Sequence, residues 1–178
     1  FMGMNFNVWT QMIDNQQVLE SQYDLLEGSW PKSYDEVVVV VDKNNRINDF
    51  TLYALGIKDQ TELAEILQKI MQGEELDYPP TVLDYDDILN LDYRLILPTD
   101  YYQMDTDEDS ETYGQYTEVS NEDLKNKINS GLKLKVTGII RPNEEAAAAS
   151  ISGTVGYTAA LTEYYINAIN ETDIAIEQ

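Results

Sequence analysis

Glu36-Val37-Val38-Val39-Val40-Val41 is the stretch on which the fold turns. Five consecutive β-branched residues lose side-chain freedom in a helix and pack well on a pleated surface. The run is too short to span a membrane and shows no alternation with polar residues, so it predicts a strand buried on both faces. Asp42-Lys43-Asn44-Asn45 closes it as a turn. Upstream, residues 4–13 mix apolar and polar positions and predict a strand. Tyr23 to Gly28 leads into a turn at Ser29-Trp30-Pro31-Lys32.

Two helices are expected after the valine run. Asn48 or Asp49 caps the first, whose apolar positions Phe50, Leu52, Tyr53 and Leu55 run to Gly56. The second opens on Asp59 with Glu62 three residues on, and Leu63, Ile66, Leu67, Ile70 and Met71 make one face of a helix over 60–72. Leu91 to Leu97 alternates as a strand. Ser120 and Asp123 form a capping box for a helix that Gly131 stops. Leu132, Leu134 and Val136 alternate with Lys133, Lys135 and Thr137 in a strand running on through Ile140, and Arg141 to Glu144 turns out of it. Ala146 to Gly156 has no clear period. From Thr158, the residues Leu161, Tyr164, Tyr165, Ala168 and Ile169 mark a last amphipathic helix. The expected class is therefore α+β, a mixed β-sheet with packed helices, in one domain over residues 1–178.

Charge narrows the function. The 178 residues carry 33 acids, 11 bases, no histidine and no cysteine, for a net charge of −22. Phosphate backbones are repelled by such a chain, so nucleic acid is excluded as a partner. A Ser-His-Asp triad, a cysteine nucleophile and an ordinary zinc site all lack their residues. Sixteen acids against the single base Arg94 fall between 74 and 123, together with seven of the thirteen tyrosines. This acidic, tyrosine-rich excursion is the candidate functional region.

Within it, Asp105, Asp107 and Asp109 occupy positions 1, 3 and 5 of a calcium-loop pattern. Ser110 then stands where the turn glycine belongs and Tyr116 where the bidentate glutamate belongs, so a solvated, mobile acidic loop is the better reading of Asp105 to Glu111. Asp84, Asp86 and Asp87 offer the two carboxylates of a glycosidase, but adjacent acids more commonly cap a short turn, here at Ile88-Leu89. Gly153 to Gly156 lacks the lysine and spacing of a phosphate loop. No catalytic residues, cofactor or metal ligands are assigned. The paired Tyr101 and Tyr102, with Asp105, Asp107 and Asp109, are the candidate ligand-binding residues. A surface of this kind attracts cationic, amphipathic molecules, antimicrobial peptides among them.

The order of segments carries a resemblance. Leu25-Leu26-Glu27-Gly28-Ser29-Trp30-Pro31 followed by Glu36-Val37-Val38-Val39-Val40 resembles a passage in the extracytoplasmic domain (the MacB-like periplasmic core) of MacB/FtsX-like ABC transporter permeases. Leu52-Tyr53-Ala54-Leu55-Gly56, Ile88 to Leu95, and Leu134-Lys135-Val136-Thr137-Gly138-Ile139-Ile140 are similar to the segments that follow it there. Asn90 departs from a common glycine, and the acidic stretch 96–124 is longer than the usual connection. The resemblance implies a non-catalytic domain on the extracellular side of a Gram-positive cell membrane. Its implied partners are the permease's own transmembrane helices and a separate ATP-binding subunit. The opening Phe1-Met2-Gly3-Met4 reads as a cloning remnant, and with no signal-like or span-length apolar stretch the expectation is an excised soluble piece. A free-standing adhesion or ligand-binding module of the cell surface is the alternative.

Overall fold

A computed structural model describes residues 8–47, 49–55, 57–58, 62, 68–69, 72, 84–144, 146 and 148–177. The fold is α+β: a mixed six-stranded sheet, a small two-stranded hairpin and several helices. The sheet is built from β1 (Trp9–Gln11), β2 (Tyr23–Gly28), β3 (Glu36–Val40), β4 (Asp92–Leu95), β7 (Leu132–Pro142) and β8 (Val155–Tyr157). The order runs β1-β8-β3-β7-β2, with β4 also on β7. The hairpin pairs β5 (Tyr102–Met104) with β6 (Tyr116–Glu118).

The valine strand lies inside the sheet, as its composition predicts. One edge of β3 is parallel to β7 and the other antiparallel to β8. Val37, Val38 and Val39 have no solvent exposure. Their side chains alternate between two cores. Val37, Val39 and Val41 join Val136, Ile139 and Val155, covered by Leu55 at the end of α2 (Asp49–Ala54) and by Ile88 of α3 (Tyr85–Leu89). Val38 joins Ile140, Met12, Tyr23 and Ile151, covered by Leu19 of α1 (Gln16–Gln22). Each buried valine contributes roughly 1.5–3 kcal/mol through removal of apolar surface from water. Val136 and Leu134 are buried as expected. Leu63, Ile66, Leu67, Ile70 and Met71, the apolar face of the helix expected over 60–72, lie outside the described residues.

β7 is the spine. Its 11 residues carry β3 along one edge. The other edge is shared by β4 over Leu132 to Lys135 and by β2 over Gly138 to Pro142. Because β3 already occupies partners from Lys135 to Ile140, both antiparallel strands must lie on the opposite side. Exposed Lys133 and Lys135 reach neighbouring carboxylates, Asp92 at 2.9 Å and Asp35 at 3.0 Å. Such surface pairs fix register more than they add stability.

Several elements differ from their sequence expectation. Tyr23 to Gly28 is a strand, drawn into the sheet by β7 despite its weak alternation. The Tyr23 hydroxyl is buried and accepts the Ile151 N–H at 2.7 Å. Arg141 and Pro142 continue β7 because Asp24 and Tyr23 supply register partners for them. Arg141 also pairs with Asp24 at 3.2 Å. The ambiguous 146–156 segment ends in β8, whose small Gly156 lies against Met12 and Val38.

The sheet pins the chain hardest where β2 leaves it. Gly28 has φ +78°, and a Cβ placed there would stand 2.2 Å from the Thr137 carbonyl oxygen. Gly114 shares the positive φ, +74°, but nothing lies within 4 Å of its Cβ position. Gly28→Ala should therefore cost both the left-handed conformation and a backbone clash, about 3 kcal/mol or more, against ~1–2 kcal/mol for Gly114→Ala. Urea denaturation midpoints of the two variants measure the difference, and equal losses would contradict the close approach of β2 to β7.

Candidate functional site

Leu95, the last residue of β4, pairs with Leu132, the first of β7. Residues 96–131 therefore leave the sheet and return to it at one point. They contain a 3-10 turn (Pro98–Tyr101), the β5–β6 hairpin and α4 (Asn121–Ser130). The turn starts where Pro98 fixes φ and the Asp100 carboxylate accepts the Leu97 N–H at 2.8 Å. α4 begins at Ser120, whose hydroxyl accepts the Asp123 N–H, and ends at Gly131, as the capping pattern predicts. Lys127 of α4 donates to the Tyr102 carbonyl at 3.1 Å and ties helix to hairpin.

The five sequence candidates fall at two ends of the hairpin. Tyr101 and Tyr102 stand at its open end, 48% and 42% exposed. Asp105, Asp107 and Asp109 form the closed end. Asp105 exchanges backbone hydrogen bonds with Gly114 and Gln115 and completes the ladder beyond Met104 and Tyr116. One of its carboxylate oxygens accepts the hydroxyls of Ser110 and Thr112, both at 2.6 Å; the other accepts the Asp107 N–H at 3.0 Å. Asp107 in turn accepts the Asp109 N–H at 3.0 Å. This is a chain of Asx turns, so the acidic loop Asp105 to Glu111, which the sequence suggests is solvated and mobile, is tied by internal hydrogen bonds. The reason is Ser110 and Thr112, whose hydroxyls neutralise the cost of turning an acidic segment back on itself. Asp105 has most of its acceptor capacity filled from within, which leaves it a structural part of the turn.

Two grooves flank Tyr102. One, of about 500 Å³, is lined by Ile96, Tyr101, Tyr102, Val119 and Leu124, with Glu118 at its wall. The second, of about 520 Å³, lies between the hairpin and the C-terminal segment, where α5 (Ala159–Asn170) passes into α6 (Asp173–Ile176). Tyr102, Met104 and Tyr116 form its hairpin wall. Asp100, Glu171, Asp173 and Glu177 supply acids, with Lys127 the one base among its described lining. The Tyr116 hydroxyl oxygen is shielded from solvent with no hydrogen bond of good geometry. Burial and the facing Glu177 and Asp173 carboxylates hold its pKa above the usual phenol value.

The acids at Asp84, Asp86 and Asp87 stand at the start of a short helix that includes Ile88 and Leu89, as the capping reading expects, with Asp84 in the N-cap position in place of Asp86 or Asp87. Asp84 is the N-cap residue of α3 without a side-chain capping bond, and Asp86 and Asp87 fill the first turn, where the helix dipole favours them. With Glu27 they line an open depression, and all four carboxylates are exposed. A glycosidase acid needs apolar enclosure to keep its proton, and among the described residues Tyr85 alone stands beside these carboxylates. Among the described residues no group of three acidic side chains is arranged to hold a metal ion. Comparison of the chain with models of protein families, with curated protein sequences and with solved structures finds no match in any of the three.

The hydrogen bonds to Asp105 have a pH signature. The Ser110 hydroxyl first, then the Thr112 hydroxyl and the Asp107 N–H, hold its carboxyl below the ordinary value of 3.8. A depressed folded-state pKa contributes stability that is complete above the unfolded value and lost as pH falls through the folded one. The Asp107 amide, which donates to the Asp105 carboxylate, should thus keep its protection as pH falls to the ordinary carboxylate value and lose it on further descent through the lowered Asp105 value. Ser110→Ala should move the Asp105 titration upward, read from its carboxyl carbon resonance. An unchanged titration would remove the hydroxyl as the cause.

Proposed function

We propose that this chain is the extracytoplasmic domain of a MacB/FtsX-like ABC transporter permease, a MacB-like fold that couples or senses export without catalysing a reaction itself. One observation carries the reading. Three of the five segments of the resemblance, Leu25 to Gly28, Glu36 to Val40 and Leu134 to Ile140, form neighbouring strands in the order β2-β7-β3. Gly28 is the register partner of Gly138, and Gly138 of Val38. Segments more than 100 residues apart in sequence thus meet at one glycine-paired position of one sheet. This supports reading the segments as parts of one structural unit.

The excursion 96–131 supplies the surface through which such a domain would engage a ligand. It sits on the sheet by its two ends, so a load on the hairpin is delivered to β4 and β7 together. The net charge selects cationic, amphipathic molecules, with the antimicrobial peptides of a Gram-positive cell's surroundings as the natural class. The transmembrane helices and ATP-binding subunit belong to the rest of the transporter; no described helix here is long and apolar enough to cross a membrane. A free-standing ligand-binding or adhesion module of the cell surface is the second reading, favoured by two grooves at the hairpin that are lined by residues of this chain.

Cell fractionation of the full gene product decides between them. A permease should remain in the membrane after carbonate washing and co-purify in detergent with an ATPase subunit. Release by the wash would favour the free-standing module. The purified chain should leave ATP, glycans and peptides intact, and turnover abolished by Asp86→Ala or Asp87→Ala would overturn the non-catalytic assignment.

A further inference from the structure

We propose that the groove beneath Tyr101 and Tyr102 seats one apolar side chain of a basic peptide. The peptide's flanking cations lie against Glu118 on one side and, across Tyr102, against Glu171 and Asp173 on the other. This rests on the reading of the domain as a ligand-engaging module and goes further by assigning the contact. It also moves the charge partners from the Asp105–Asp109 turn to Glu118, across the hairpin from Tyr102, and to Glu171 and Asp173 at the far end of the chain.

Three features argue for the groove. Its volume of about 500 Å³ lies in the range of sites that enclose a ligand group. Ile96, Val119 and Leu124 line it with two tyrosines whose rings are nearly half exposed, so this apolar area is not spent on the domain's own core. Tyrosine contributes large, rigid contact area at low entropic cost and keeps its hydroxyl in water. Tyr102 is also a wall of the acidic groove beside it. An elongated ligand can therefore cross the tyrosine with an apolar group on one side and a charge on the other.

The sign of the charge chooses the occupant. A second copy of a −22 chain, an anionic membrane and a nucleic acid all approach with like charge. A basic peptide gains attraction at long range and aromatic contact at short range. The turn acids are poorer partners: Asp105 already accepts three internal hydrogen bonds, which leaves its carboxylate little acceptor capacity, and Asp107 already accepts from Asp109.

The probe is a fluorescein-labelled synthetic peptide with lysines on both sides of one leucine, titrated by anisotropy and mapped by amide chemical shifts. Two controls replace the leucine with serine or the lysines with glutamine. The expected result is shifts at residues 96–102 and 118–124. Tyr102→Ser, at an exposed position, and the leucine-to-serine peptide should each weaken binding about tenfold. Glu118→Gln combined with Glu171→Gln should slow association and flatten the salt dependence, whereas Asp107→Asn with Asp109→Asn should change affinity by less than about threefold. Leu124→Gln, with its fold verified by circular dichroism, provides a second test of the groove itself. Binding to wild type that is indifferent to Tyr102→Ser and Leu124→Gln, or that shifts only residues 105–115, overturns the groove while leaving a docking surface in place. No salt-sensitive binding to wild type at low ionic strength overturns both.

Discussion

The backbone of β3 is sealed from water, and the rest of the structure follows from satisfying it. With Val37, Val38 and Val39 fully buried, every N–H and C=O of that strand must find a protein partner or cost a few kcal/mol unmade. One edge takes β7 and the other takes β8. The valine side chains impose a second demand, since each face of the sheet needs its own cover. Helices α2 and α3 answer on one side; α1 with Met12 and Ile151 answers on the other. A sheet with one exposed face would have left Val38 in water.

β7 resolves a further conflict. It is longer than any neighbour, so its free edge has room for two short strands, and it takes β4 and β2 end to end. Bulges accompany this arrangement. Thr137 is extra opposite β3 and Leu26 is extra opposite β7, and both irregularities lie near the Gly28–Gly138 pair. The extra residues let strands from distant parts of the sequence keep their apolar positions inward despite unequal lengths. The β4 half of the edge is where the excursion departs, so the acidic segment is held at the half-exposed end of the sheet's longest strand.

Polar groups in the excursion largely hold one another. The Asp105 network, the Leu97–Asp100 turn and the Lys127 contact to Tyr102 use local hydrogen bonds where the sheet uses apolar burial. Met104, Tyr101 and Tyr102 are left facing solvent as a result. A segment this acidic cannot build an apolar core of its own, because each carboxylate brought inward would lose its hydration. Order in it comes from capping and turns, which are short-range and leave the aromatic area free.

Local chemistry was enough to determine the α+β class, the doubly buried valine strand, the cap at Ser120, the helix that follows Thr158 and the stop at Gly131. Each of these depends on residues within about a dozen positions of one another. The strands at Tyr23 to Gly28 and Val155 to Tyr157 are different, since neither has the propensity to form alone and both exist through pairing to partners far along the chain. The same holds for the grooves at Tyr102. Tyr102 meets Glu118 through hairpin register and shares the acidic groove with Glu171 and Asp173 because the C-terminal segment folds back beside the hairpin. Charge counted along the chain singled out the acids nearest the tyrosines in sequence, Asp105 to Asp109. The Asp105 turn is closed locally, by Ser110 and Thr112 five and seven positions on. Only the tertiary structure could reveal that carboxylates from the chain's far end stand in the groove, because long-range proximity is a property of coordinates and leaves no pattern in the order of residues.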